Sequence, residues 1–135
     1  MAISLFGRKT KPPTAHPPIP DWFVGSTPEW AIYWALTILK VGFTYQSPQM
    51  GGRLAKGGAI LDFEIPSLNL AINVTSKYWH YRTTPGRMAD ELQRATLEGR
   101  GIRVIFIDEM DALRNPIFYT REALKFRDHS VFGRA

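Results

Sequence analysis

The sequence contains no cysteine, and this absence narrows the functions open to the chain. Without thiols it has no disulfide scaffold, no cysteine nucleophile and no cysteine-bound zinc or iron–sulfur cluster. Three histidines are too few to favour a multi-histidine metal site. The absence of thiols also fits a reducing compartment, so we expect a cytoplasmic protein.

Long hydrophobic runs are missing as well. The longest apolar stretch, residues 30–39, falls well short of the roughly 20 residues that cross a bilayer. The first residues lack the charged region and long apolar region of a signal peptide. We therefore expect no membrane partner.

The remaining composition is that of one globular domain. The chain has 135 residues, of which 44% are hydrophobic and 21% are charged. Lysine and arginine outnumber aspartate and glutamate by 17 to 12, which gives a formal net charge of +5. This mildly basic balance weakly favours nucleic acid as a partner.

Residues 1–25 differ in character from the rest of the chain. They are proline-rich and basic, a composition that favours polyproline II over a packed element. We interpret this segment either as a flexible leader or as a strap that lies along nucleic acid or a partner. The folded domain is expected to span residues 26–135.

The first helix has a strong start signal. Ser26 offers an N-cap, Pro28 suits the first turn, and Glu29 completes a capping box. The apolar run that follows predicts a largely buried helix that ends at Gly42. A short strand is predicted over residues 43–46, followed by a glycine-rich loop.

Two alternating runs, residues 59–65 and 70–75, predict an antiparallel hairpin. A four-residue turn between them fixes the register, with the apolar side chains on one face. The predicted pairs are Ile65 with Leu70, Phe63 with Ile72, Leu61 with Val74 and Asp62 with Asn73.

The C-terminal half predicts a helix over residues 87–100, with Met88, Leu92, Ala95 and Leu97 inward, and a strand over residues 102–107. Asn115-Pro116 then opens a last helix. The predicted fold class is α/β, with a mixed central sheet, flanking helices and the element order αβββαβα.

Four residues are candidates for chemistry, and each also has an ordinary structural explanation. Asp62 lies mid-strand, where a carboxylate either faces solvent or binds a divalent cation. His80 is either a packed loop residue or a general base. Asp90 either complements a helix dipole or orients His80. Glu29 is explained by the capping box alone.

These residues, in their order along residues 26–110, resemble a known family. Glu29, Asp62, His80 and Asp90, with the Tyr-Trp-His run at residues 78–80, are similar to the very-short-patch repair (Vsr-like) endonucleases. The likeness is greatest to the EDxHD homing endonucleases, which occur in phage-type genomes. Both belong to the PD-(D/E)XK superfamily, so the resemblance implies a restriction-endonuclease-like fold.

The resemblance implies an Mg²⁺-dependent DNA endonuclease or nickase that hydrolyses phosphodiester bonds. Asp62 and the main-chain carbonyl of Val74 would bind the metal. His80 would act as general base beside Asp90, with Glu29 as the first acid of the motif. The predicted DNA-binding residues are Arg53, Lys56, Lys77, Tyr78, Trp79, Arg82 and Arg87.

The sequence departs from the superfamily pattern on the second hairpin strand. It reads Asn73-Val74-Thr75 where the general pattern has Glu-x-Lys, so only a histidine-based mechanism is expected. Two other functions stay open. One is a non-catalytic DNA-binding or phage structural module that keeps the nuclease-like fold, and the other is a protein-interaction domain that uses the proline-rich arm. A homodimer is an open alternative to a monomer.

Overall fold

The computed structural model describes residues 16–49, 59–75, 92, 94–130 and 133. A four-stranded sheet in the order β1-β2-β3-β4 forms its centre. The antiparallel strands are β1 (Thr44–Gln49), β2 (Ala59–Ile65) and β3 (Leu70–Thr75), and β4 (Arg103–Asp108) lies parallel to β3. The predicted mixed α/β architecture is therefore confirmed.

Helices cover both faces of this sheet. On one face, α1 (Thr27–Ile38) packs with α2 (Glu109–Arg114) and α3 (Pro116–Leu124). The core on this face contains Ile32, Leu36, Phe63, Ile65, Leu70, Ile72, Ile105, Ile107, Ala112 and Ala123. Strand residues between these face the other way, because side chains alternate along a strand. There, Leu97 of the helical residues 94–98 packs with Ala71, Val104 and Phe106.

The start of α1 is as predicted, and its end is not. Ser26 and Glu29 form the complete capping box. The helix ends at Ile38, because Lys40 adopts a left-handed conformation with φ 59° and the Val41 amide bonds back to the Leu36 carbonyl. Lysine takes the position that glycine usually occupies, and Gly42 lies beyond the helix.

The β2–β3 hairpin has the predicted register where the strands pair. Phe63 lies opposite Ile72, and Ile65 lies opposite Leu70. Between the strands, Pro66–Leu68 forms a 3₁₀ turn, and Asn69 closes it in the left-handed conformation. This hairpin brings Asp62 and Asn73 to neighbouring positions on the sheet.

The predicted inward face of the helix over residues 87–100 is partly wrong, and one short helix was not predicted. Leu92 is 69% exposed and Ala95 is exposed as well, whereas Leu97 is fully buried. Five residues separate Leu92 from Leu97, which is about 140° around a helix, so these two side chains cannot share a narrow face. The helix α2 was not predicted, because it follows β4 directly and its six residues are too few to show a helical pattern of apolar residues.

Residues 16–25 lie against α1. The Trp30 indole Nε1 donates a hydrogen bond to the Pro17 carbonyl at 2.8 Å, and Phe23 is buried against the Trp30 ring. A Cβ at Gly25 would collide with the Tyr45 hydroxyl and lie 2.8 Å from Glu29 Oε1, so a larger residue there would have to displace these two side chains. Residues 1–15 of the predicted arm lie outside the described residues. Within the described part of the chain, no helix has the length and apolar character to cross a membrane.

Candidate active site

Three of the predicted site residues lie in the described part of the chain. Glu29 is in the first turn of α1, Asp62 is in β2, and Val74 is in β3. The predicted base His80 and its partner Asp90 lie outside the described residues. So do the predicted DNA-binding residues Arg53, Lys56, Lys77, Tyr78, Trp79, Arg82 and Arg87.

At the end of the β2–β3 ladder, the side chains of Asp62 and Asn73 each accept a hydrogen bond from the opposite strand. The main-chain ladder runs from Ile65↔Leu70 to Phe63↔Ile72. Beyond it, the Asp62 amide donates to Asn73 Oδ1 at 3.0 Å, and the Val74 amide donates to Asp62 Oδ2 at 2.8 Å. Side-chain oxygens therefore replace main-chain acceptors, and they fix the Asp62 carboxylate between the two strands.

Glu29 caps α1 and also contacts β1. Its Oε1 accepts a hydrogen bond from the Ser26 amide at 2.9 Å and another from the Tyr45 hydroxyl at 3.0 Å. The N-terminus of α1 is thereby joined to β1. Glu29 is thus both a helix cap and the partner of a tyrosine that lies near the Asp62 carboxylate.

The pKa of the Tyr45 hydroxyl depends on burial and on two nearby carboxylates. Partial burial, followed by the Glu29 carboxylate and then Asp62, raises the pKa of the Tyr45 hydroxyl far above its usual value. Two negative groups on different elements thus disfavour the phenolate. The structure therefore brings Glu29 and Asp62 close enough to act on one side chain.

Gln46 has an unusual backbone beside Asp62. Tyr45 pairs with Phe63 and Ser47 pairs with Leu61, which leaves Gln46 opposite Asp62. Gln46 has φ 57°, a left-handed value that is uncommon within a strand. Its side-chain Nε2 donates to the Tyr45 hydroxyl at 3.2 Å. Outliers of this kind cluster at functional sites, where the surrounding structure holds them in place.

Thr75 and Asp108 add buried polar groups at the ends of β3 and β4. They are register partners in the parallel pair, and their side chains are 2% and 5% exposed. Thr75 Oγ1 has no hydrogen-bond partner among the described residues, which is costly for a buried hydroxyl. Asp108 precedes α2 without capping it through its side chain. By strand alternation, Thr75 lies on the same sheet face as Asn73.

Four residues of this region were not predicted as site residues: Tyr45, Gln46, Thr75 and Asp108. Thr75 had a usable signal, because it lies two residues after Asn73 on a strand of period two. Tyr45 and Gln46 had none, since their contacts with α1 and β2 arise only in the folded chain. Asp108 was placed outside the predicted strand.

Comparison with known proteins does not identify the chain. No family model, no curated protein and no solved structure matches it. The resemblance to the Vsr-like endonucleases therefore stays a prediction.

Replacing Tyr45 by phenylalanine should remove a stability contribution that is present below about pH 10 and shrinks at more alkaline pH. Because the folded-state pKa of Tyr45 is raised, the unfolded chain loses this proton first as pH rises past about 10. Stability contributed by the protonated hydroxyl is fully present below that pH and declines above it. Denaturant unfolding of the wild type should therefore show a steeper loss of stability above pH 10 than Tyr45→Phe. Parallel curves for the two proteins would contradict this role of Glu29 and Asp62.

Asn73→Ala should lower stability without changing the function of Asp62. The substitution removes the acceptor of the Asp62 amide in a side chain that is 9% exposed. Leaving such an amide unpaired costs about 1–3 kcal/mol. Denaturant unfolding of the wild type and of Asn73→Ala measures this loss. In the mechanism proposed below, the cleavage rate per folded molecule should change little. A complete loss of cleavage would show that Asn73 is itself a ligand.

Proposed function

We propose that the protein is a magnesium-dependent DNA endonuclease or nickase of the restriction-endonuclease-like type. The observation that carries this proposal is the position of Asp62, whose carboxylate is fixed between β2 and β3 where their ladder ends. A mid-strand acid that is held in one orientation suits a metal ligand better than a solvated surface charge does.

The arrangement of elements supports the same proposal. A helix, three antiparallel strands and a fourth strand parallel to the third follow in order, with helices on both faces of the sheet. This is the order that the resemblance to the PD-(D/E)XK superfamily implies. The formal net charge of +5 is compatible with a polyanionic substrate.

The oxygen donors near Asp62 fit Mg²⁺. This ion usually keeps several waters and binds one or two protein carboxylates together with substrate phosphate oxygens. Asp62 supplies a carboxylate and Val74 a main-chain carbonyl, while Thr75 Oγ1 is a buried oxygen without a hydrogen-bond partner. Within residues 16–49, 59–75 and 94–130, no three acidic or histidine side chains form a metal-binding group. A site with few protein ligands is therefore expected.

When bound, Mg²⁺ would neutralise the charge that develops on the phosphate oxygens during cleavage. His80 takes the proton of the attacking water at a ring nitrogen, and Asp90 holds the imidazole in the orientation this requires. Glu29, as the acceptor of the Tyr45 hydroxyl, keeps α1 against β1 beside the Asp62 site. The basic and aromatic residues predicted above bind the DNA backbone and bases.

A second candidate is a DNA-binding module without catalysis. It is favoured by the neutral Asn73, which stands where the superfamily has a glutamate and whose amide oxygen bonds the Asp62 main chain. The Asp62 carboxylate likewise accepts the Val74 amide. Both side chains therefore have a role in holding the hairpin together, whether or not a metal binds.

One experiment on a labelled DNA duplex separates the two candidates. Affinity is measured in chelator over a salt series, and cleavage is then measured with Mg²⁺. The endonuclease predicts salt-sensitive binding and metal-dependent product. The binding module predicts the same salt dependence with no product at any Mg²⁺ concentration. Absence of binding at low salt would contradict both.

A further inference from the structure

An aromatic depression lies beside the candidate active site. It has a volume of about 270 Å³ and is lined by Trp22, Phe23, Val24, Tyr33, Tyr45 and Gln46. Pockets for drug-sized ligands measure about 300–1,000 Å³, so this one suits a single flat ring system. Nothing in the proposed mechanism uses it.

Trp22 presents a fixed aromatic surface at this depression. Its side chain is among the more exposed of the large hydrophobic residues, at 64%. The indole nevertheless makes edge-on contacts with Phe23, Trp30 and Tyr33, at ring-centre distances of 6.2, 5.8 and 5.8 Å. These contacts restrict its rotamers in advance, so a ligand that stacks on Trp22 loses little conformational entropy on binding.

The other side of the depression is polar. Tyr45 contributes a hydroxyl, and Gln46 contributes an amide group with both donor and acceptor atoms. A ligand with an aromatic face and a hydrogen-bonding edge matches these two sides, whereas an aliphatic partner matches only the first. Nucleobases have both features.

The depression shares Tyr45 and Gln46 with the region described around Glu29 and Asp62. Gln46 lies opposite Asp62 in the β1–β2 register, and Tyr45 shares a hydrogen bond with Glu29. A DNA strand held here would therefore pass along β1, which is the neighbour of the strand that carries Asp62.

We propose that this depression binds one unstacked nucleobase of the DNA substrate, with Trp22 as its stacking surface. This inference rests on the proposed nuclease function, and it adds a requirement for a locally unpaired or single-stranded base next to the cleaved bond. Stacking would position the strand at the Asp62 site, while the Gln46 amide would contact the base edge.

The test compares loss of the indole with loss of the base. Affinity for a labelled single-stranded oligonucleotide is measured in chelator, and single abasic sites are then placed at each position in turn. Trp22→Ala should weaken binding about 5- to 150-fold, as expected for one lost stacking contact. One abasic position should weaken wild-type binding to a similar extent, and it should have little further effect on Trp22→Ala.

Controls keep this outcome separate from unfolding and from general loss of affinity. Phe118→Ala removes another exposed aromatic, which is 43% exposed and does not line the depression, and it should leave affinity unchanged. Thermal melting checks the fold of each variant. If Trp22→Ala does not fold, a 2-aminopurine scan of wild-type complexes still locates the stacked base by its quenched fluorescence.

Four outcomes would overturn the proposal. Wild-type-like affinity of folded Trp22→Ala, or abasic effects that add fully to that substitution, would show that no base stacks on Trp22. A dimer that becomes a monomer on Trp22→Ala in sedimentation would make the depression a contact between copies of this chain. A wild type that does not bind DNA would remove the proposed function together with this inference. If the wild type binds and cleaves DNA but Trp22→Ala keeps wild-type affinity, only the inference about Trp22 is wrong and the proposed function stands.

Discussion

His80→Ala should reduce the rate of DNA cleavage by about 10²- to 10⁴-fold, the contribution of a positioned general base. A histidine side chain ordinarily titrates near pH ~6.5, and only the neutral ring accepts a proton. The wild-type rate should therefore fall as pH drops through this region. His80→Ala should lose that acidic limb along with most of its rate.

Asp90 provides the control for this assignment. A carboxylate beside the imidazole favours its charged form, so Asp90→Asn should lower the rate and move the acidic limb to lower pH. The double variant should be little worse than His80→Ala, because the two residues act as one unit. If the losses of the two single variants add in the double variant, Asp90 acts independently of His80, as a charge that complements the helix dipole. An unchanged pH profile in His80→Ala would show that this residue is not the base.

Asp62→Asn should reduce magnesium-dependent cleavage by about 100-fold or more. A metal at the phosphate contributes several kcal/mol, and each 1.36 kcal/mol is tenfold in rate. The amide oxygen that replaces Oδ2 still accepts the Val74 amide, so the hairpin keeps this hydrogen bond. Exchanging a charged acceptor for a neutral one should cost about 1 kcal/mol of stability, which denaturant unfolding can measure.

Glu64→Gln is the matched control for Asp62→Asn. Glu64 lies two residues along β2, so its side chain leaves the same face of the strand. The substitution removes the same charge at a similar distance along the sheet. Cleavage by Glu64→Gln should stay near the wild-type rate. Equal losses in the two variants would mean that the total charge of this face matters, and that Asp62 is no specific ligand.

Much of the sheet was predictable because its determinants are local. The capping box at Ser26 and Glu29 needs only a three-residue spacing, and the hairpin register follows from alternation and turn length. The same register predicted that Asp62 and Asn73 would be neighbours. It did not predict that their side chains would replace the ladder, which depends on how the two strands separate.

Other features depend on contacts between distant parts of the chain. The left-handed Lys40 just beyond the end of α1 and the left-handed Gln46 are backbone states that no residue preference favours. The contacts of Tyr45 with Val24 and Glu29 join segments that are 21 and 16 residues apart. The aromatic depression at Trp22 arises only when these segments pack. Its aromatic residues were visible in the sequence, but their assembly into one depression was not.

The most direct test of the nuclease assignment is nicking of supercoiled plasmid by the wild-type protein. A single broken phosphodiester bond converts a whole plasmid molecule to the open circle, so even slow cleavage is visible. The protein is incubated first in chelator and then with excess Mg²⁺. We predict no open circles in chelator and their steady appearance after Mg²⁺ is added. A folded protein that leaves the plasmid supercoiled in Mg²⁺, or that nicks it equally in chelator, would contradict the assignment.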